Sequence, residues 1–340
     1  MGFNGLTGQE EIKSRLRTIT NRGNSGSLLF TGTEGIGKHL FARETAKAFL
    51  CKNKTPDGAC NECASCKYID AGTHPDYVVV EPTEGRKNIR IADLREVVRD
   101  AEVKPQISSS KVIVINADKI SFDCQNLLLK TLEEPQEHLV YILLCSDMSK
   151  LLQTILSRVT ELPMKAYTDE EMERILLSNS SETIADDRIK FYSSFSSNIP
   201  GRALALMGDT DFMEERNYIF DLIMRMPKIR YTDILCDEYK YFNDNKNKID
   251  ELLLLMVWTL GDVAGLIGSP NPSGIKNMDR KDELVRFVSE NSSITLQNIS
   301  NAERAIMEYI KNSKVNATFE VACCNMLLSI YKELTNEKNG

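Results

Sequence analysis

The chain has 340 residues, 42% hydrophobic and 27% charged, longer than the roughly 250–300 residues at which single cores stop growing, so two or three domains are expected and a miniature module is excluded. Its net charge of −7 is uneven: residues 1–167 carry 22 basic and 21 acidic side chains and residues 168–340 carry 20 and 28, which excludes the basic excess of a stand-alone DNA grip. No unbroken apolar run approaches the ~20 residues of a membrane span, and MGFNGLTGQEE at the start lacks a charged-then-apolar leader, so a cytoplasmic protein without membrane attachment is expected.

Residues 27–31, SLLFT, read as a strand ending on a glycine-rich turn, and residues 38–50 follow as a helix with Phe41, Ala42, Thr45, Ala46 and Phe49 at helical spacing. Residues 77–81, 111–116 and 139–145 are unbroken β-rich runs, the pattern of strands buried on both faces of a parallel sheet. Helical stretches at 91–102 and 122–132 alternate with them, which predicts a doubly wound α/β domain over residues 1–166. From Tyr167 onward comparable strand runs stop. Residues 169–177, 185–195 and 201–207 predict a small helical domain at 167–209. Residues 214–225, 249–266, 281–291 and 299–309 predict a third, all-helical domain at 210–340, with a loop at 269–274.

The strand–turn–helix contains Gly32-Thr-Glu-Gly35-Ile-Gly37-Lys38-His39. In an active phosphate loop the glycines let backbone N–H groups close around phosphates, the lysine reaches the terminal phosphates, and a following Ser or Thr hydroxyl ligates Mg²⁺. Here His39 stands at that last position, and an imidazole is a poor substitute in an oxygen-liganded Mg²⁺ shell. A second departure lies in the strand Lys111–Asn116. A hydrolysing relative ends it on Asp-Glu, for metal and water; this chain offers Asn116 and Ala117, and Asp118 reads as a cap of the next helix. Any bound nucleotide is therefore expected to be a passive ligand.

Cys51-x8-Cys60-x2-Cys63-x2-Cys66 follows the loop helix directly. Four thiolates at these spacings can close a tetrahedral Zn²⁺ site with no open position, structural rather than catalytic. An iron–sulfur cluster fits the same spacing. Near the end of the α/β domain, Ser157-Arg158 reads, taken alone, as a solvated helix end.

Together, Gly5-Leu-Thr-Gly-Gln9, the phosphate loop, the four-cysteine module, Gln125-Asn-Leu-Leu-Leu-Lys-Thr-Leu-Glu-Glu-Pro135 and Ser157-Arg158 resemble the bacterial clamp-loader branch of the AAA+ ATPases. The resemblance covers the whole chain, with specific motifs in residues 5–160 and a weaker helical likeness beyond, including Asn277-Met-Asp279 and Asn316-Ala-Thr318. It implies an AAA+ α/β domain, a three-helix lid and a helical collar. It also implies an open ring of five subunits that ATP drives to load a sliding clamp onto primed DNA, in the cytoplasm at the nucleoid. Two members carry the cysteine module: the hydrolysing gamma/tau motor and a non-hydrolysing stator. The departures at His39 and Asn116 select the stator, with gamma/tau and delta subunits as partners. The resemblance further gives Arg158 a role against ATP held by the neighbouring motor, with Val159 where the family has Cys. Cys145-Ser146-Asp147 stands at a lapsed sensor position, and Arg202 matches a lid arginine that faces a bound γ-phosphate or serves only structure. Two alternatives stand beside this reading: a working motor that has replaced the Mg²⁺ hydroxyl, and a stand-alone zinc-bearing DNA-binding module.

Overall fold

The structure is a computed structural model that describes residues 2–23, 26–134, 136–180, 184–269, 272, 274–312 and 318–335. The chain forms two compact units, Met1–Ser181 with Ser196–Leu204, and Glu182–Phe195 with Ala205–Gly340. This division runs through the segment 167–209 expected as a separate lid.

The first unit runs α1 (Glu10–Arg22), β1 (Gly26–Thr31), α2 (Lys38–Leu50), α3 (Ala64–Asp70), β2 (Tyr77–Val80), α4 (Ile91–Ala101), β3 (Lys111–Asn116), α5 (Phe122–Glu133), β4 (Leu139–Cys145), α6 (Gln153–Leu156), β5 (Thr160–Pro163) and α7 (Asp169–Asn179). The five strands make one parallel sheet in the order β2-β3-β4-β1-β5. Every residue of β4 is buried, as its unbroken apolar run requires of a strand covered on both faces. The register sets Thr31 beside Cys145 and Asn116 beside Leu144. The carboxyl ends of three inner strands therefore open onto one edge, the edge where open α/β sheets bind ligands.

Local chemistry starts the helices on this edge. Ser121 Oγ accepts the Cys124 N–H at the head of α5, and Thr168 with Glu171 forms a reciprocal capping box at α7. Asp118 does not cap the following helix as expected. Asn116 Oδ1 takes the Asp118 N–H in the intervening turn, and the Asp118 carboxylate is used elsewhere.

The second unit is helical: α8 (Asp186–Phe195), the end of α9 (Pro200–Gly208), α10 (Phe212–Arg225), a helical stretch with a π turn at Ile234–Glu238, then Ile249–Gly268, Lys281–Glu290, Leu296–Asn312 and Phe319–Thr335. Its core includes a buried Arg216, whose guanidinium meets Asn277 Oδ1 at 3.0 Å and Asp279 at 2.8 and 2.5 Å, with the Phe191 ring at 4.9 Å. A buried charge must be paired in this way, and it explains Asn277 and Asp279 as packing residues. Helix Ile249–Gly268 belongs to a stretch, Lys246–Gly268, that is long and apolar enough to cross a membrane, the one such stretch among the described residues. Half of its apolar window is buried, and Leu252, Met256, Leu260 and Val263 lie in the core. Pro135, Pro270, Asn271, Ser273, Asn316 and Ala317, named in the sequence motifs, lie outside the described residues.

Candidate functional site

The loop between β1 and α2 has the backbone of a phosphate cradle. Gly32 adopts φ 141°, and a Cβ there would sit 2.8 Å from the Met164 carbonyl, so glycine is required on both counts. Gly35, at φ 86°, accepts the Gly201 N–H at 2.9 Å. A Cβ on Gly201 would come within 2.8 Å of Gly35 Cα. The start of α9 is thereby seated on the loop, and the exposed Arg202 lies beside Gly35.

Lys38 is turned into this loop and is 6% exposed. Its ammonium donates to Gly32 O at 2.5 Å, Thr33 O at 3.1 Å and Ser146 Oγ at 2.8 Å, using all three donors. Burial lowers its pKa, opposed by the charge of Asp118. Both Asp118 oxygens accept the Ser146 N–H at 2.9 Å. Burial would raise the Asp118 carboxyl, but the Ser146 and Asp147 donors and Lys38 hold it below its ordinary range. Asp118 thus anchors the turn after β4 and faces the loop lysine, a use its sequence position did not reveal.

The metal side of the corner is different in kind. His39 is exposed, with Nε2 3.7 Å from Glu81 Oε1, and Asn116 Nδ2 donates to Glu81 Oε2 at 3.1 Å. Ala117 is buried and brings no polar atom. Both positions that would carry Mg²⁺ oxygens in a hydrolysing relative lean on Glu81, a residue that sequence reading takes only as a strand end. No motif spacing links positions 39, 81 and 116; the parallel pairing of β2 with β3 sets Glu81 beside Asn116, and His39 reaches Glu81 from the first turn of α2.

At the other end of α2 the four expected cysteines converge. Their sulfurs all lie within 4.8 Å of one another, with Cys51–Cys60 at 3.4 Å, Cys51–Cys63 at 3.9 Å and Cys63–Cys66 at 3.5 Å. Corners of a ZnS₄ tetrahedron with ~2.3 Å bonds lie about 3.8 Å apart, so the cluster can hold a metal ion after small adjustments. Backbone donors prepare it: Cys60 N–H points at Cys51 Sγ at 3.3 Å and Cys63 N–H at Cys60 Sγ at 3.4 Å. Burial would raise the Cys63 thiol, yet N–H groups of Cys66 and Lys52 bring it down to about 6. The N–H of Glu62 foremost lowers Cys60. Cys51 and Cys66 are pushed up by burial. Backbone donors thus favour the thiolate of Cys63 and shift Cys60 in the same direction, toward the form that binds metal.

A buried polar brace holds this module. His74 Nε2 meets Ser65 Oγ at 2.8 Å and Ser108 Oγ at 3.2 Å, and Ser65 Oγ donates to Leu50 O at 2.6 Å. His74 Nδ1 accepts the Asp76 N–H at 3.0 Å, which puts the ring proton on Nε2. The Asp76 carboxylate accepts N–H groups of Gln106, Ile107 and Ser108 at 2.6 to 2.9 Å. Ser65 precedes Cys66 and Leu50 precedes Cys51, so the brace fixes the backbone beside two of the four cysteines. Histidine and aspartate here are packing devices, not a catalytic pair.

Arg158 lies on the same unit beyond α6. Its Nη1 donates to Thr154 O at 2.7 Å and Ser157 Oγ at 3.1 Å, and its Nη2 lies 2.8 Å from Glu133 Oε1.

Residues 8–168 match the family described as DNA polymerase III, delta subunit. The delta' subunit of DNA polymerase III from Pseudomonas aeruginosa is 37% identical over 163 residues, 46% of this chain and 50% of that protein. The tau subunit from Bacillus subtilis is 35% identical over 170 residues, 49% of this chain and 30% of that protein. The delta' subunit from Bacillus subtilis is 26% identical over 300 residues, 86% of this chain and 87% of that protein. The chain spans half or less of the length of the first two relatives, and the likeness concentrates in the unit that carries the loop, the cysteines and Arg158. Over residues 8–168 the chain is thus similar to the delta' and tau subunits of DNA polymerase III, on the sheet that carries these motifs.

Proposed function

We propose that the chain is the non-hydrolysing, delta'-type stator of a bacterial clamp loader. In this role it sits in a ring with gamma/tau motor subunits and a delta subunit, helps to load the sliding clamp onto primed DNA, and supplies Arg158 in trans to ATP on the adjacent motor. The single observation that carries the reading is the metal corner: His39 and Asn116 turned onto Glu81, with the buried Ala117 beyond. Mg²⁺ demands near-octahedral oxygen ligation. At positions 39 and 116 the chain offers an imidazole and a side-chain amide that donates its hydrogens to Glu81. Water orientation needs a carboxylate or amide where Ala117 has a methyl. Lys38 and the glycines keep the shape of a nucleotide loop, so a nucleotide bound by Gly32, Gly35, Gly37 and Lys38, with Arg202 at the lid, would be held without turnover. The four cysteines would hold structural Zn²⁺ through Cys51, Cys60, Cys63 and Cys66; residues 167–209 and 210–340 would serve as lid and collar.

A motor reading has one specific support, since Glu81 could stand in as the missing metal carboxylate. Its engagement with Asn116 and its pairing with His39 argue against this use. The test is reconstitution with gamma/tau and delta subunits, a sliding clamp and primed DNA. Omitting this subunit should abolish clamp loading, and Arg158→Ala should assemble normally yet lower the DNA- and clamp-stimulated ATPase. Wild-type loading by the Arg158→Ala ring would remove the trans role.

A further inference from the structure

We infer that Glu133 is a positioning residue for Arg158, setting its guanidinium on the surface before a neighbouring subunit arrives. The inference rests on the proposed trans role of Arg158 and deepens it. Glu133 is the last residue of α5, where the unpaired carbonyls of a helix disfavour an anion. Glu134 follows at once, and the basic residue of that last turn is Lys130. A carboxylate in this position gains from a cation supplied by another element, and Arg158 supplies it at 2.8 Å.

The other two acceptors on Arg158, Thr154 O and Ser157 Oγ, belong to its own turn of chain. Glu133 is therefore the contact that refers the guanidinium to the rest of the domain. The frame behind it is fixed, because α5 also carries Gln125, whose amide donates to Lys150 O and accepts from Leu152 N–H, each at 2.8 Å. One helix thus grips both ends of the segment 150–158 through side chains two turns apart.

Magnitude decides between holding Arg158 ready and holding it back. The pair is open to water, with the arginine side chain 33% and the glutamate 48% exposed, and exposed pairs of this kind are weak. Such a bond cannot withhold an arginine from a triphosphate in a closed interface, where a finger contributes on the order of 10³–10⁵ in rate. It can bias a long side chain toward one set of rotamers, so that less freedom is lost when the subunits close.

The experiment uses the whole reconstituted loader carrying Glu133→Gln, Arg158→Ala or both, with ring assembly checked for each. Glu133→Gln should lower the clamp- and DNA-stimulated ATPase roughly 2- to 5-fold, the factor that an exposed pair supplies, with KM for ATP unchanged. The deficit should shrink as salt is raised, because screening removes the same pair from the wild type. In the Arg158→Ala background, Glu133→Gln should add nothing. A higher rate for Glu133→Gln would make the pair a latch and overturn the inference. A wild-type rate for Glu133→Gln beside a slow Arg158→Ala would overturn positioning alone, whereas wild-type rates for both would overturn the trans role and the inference with it.

Discussion

One helix, α2, joins two sites that have kept different things. At its start, Gly32, Gly35 and Gly37 take positive φ around the buried Lys38, while His39 and Asn116 both meet Glu81. One residue past its end, Cys51 opens a cluster in which all four sulfurs converge and backbone N–H groups aim at them. The difference teaches that a frame and its chemistry are separable. Backbone shape rests on glycines that packing demands, such as Gly201 against Gly35, so the loop can hold its form whatever side chains stand beside it. A metal held by the four cysteines would itself be a source of folding free energy, so the loss of one ligand would be expected to cost the module its fold.

The largest expected effect breaks the second site. Cys63→Ser, or stripping the metal with a chelator, should unfold the segment 51–66, because structural zinc supplies apparent free energies on the order of 10 kcal/mol at neutral pH. Elemental analysis of the wild type should find one zinc per chain, and the variant should lose it together with protease resistance around residues 51–66. Iron with labile sulfide, or an unchanged variant, would contradict this.

A smaller effect probes the brace. Asp76 is fully buried and accepts three N–H bonds, so Asp76→Asn should cost about 2–3 kcal/mol. The pH dependence carries a definite sign. Burial pushes the carboxyl up, but the N–H groups of 106–108 hold it below the ordinary aspartate value. Its stabilising contribution is therefore complete above the unfolded value of about 3.9 and is lost as pH falls through the lower folded value. Denaturant titrations from pH 6 to 2 should show the gap between wild type and Asp76→Asn closing in acid. A gap constant with pH would mean that the charge contributes nothing.

The smallest effect sharpens the first site. Glu81→Gln removes the His39 pair, which is exposed, and retains an acceptor for Asn116, so stability should change by less than about 1 kcal/mol. Nucleotide affinity, followed with a fluorescent ATP analogue, should be unaltered. A large loss of Mg²⁺-dependent binding would assign Glu81 to the metal and revive the motor reading.

Legibility followed the range of the interactions involved. Residues 111–116 and 139–145 are strands to the residue because their β-branched and apolar runs are unbroken and buried. The cysteines and the loop are legible because their geometry is local. Helix Phe319–Thr335 escaped sequence reading: its buried stripe of Cys323, Met326, Leu327, Ile330, Tyr331 and Leu334 has helical spacing, but mixes residue types that announce a helix weakly. Glu81 and Glu133 were illegible for another reason. Their partners Asn116 and Arg158 lie 35 and 25 positions away, and only strand pairing and the docking of α5 bring them close. Asp118 reads locally as a cap, and its true partners at 146 and 147 follow from the pairing of β3 with β4.

The central claim is that this loop holds its shape without hydrolysing ATP. The direct test is steady-state ATP turnover by the purified chain with Mg²⁺, alone and beside its Lys38→Ala variant. The account predicts no turnover above background for either protein. Sustained hydrolysis by the wild type that Lys38→Ala abolishes would contradict it and make the chain a motor.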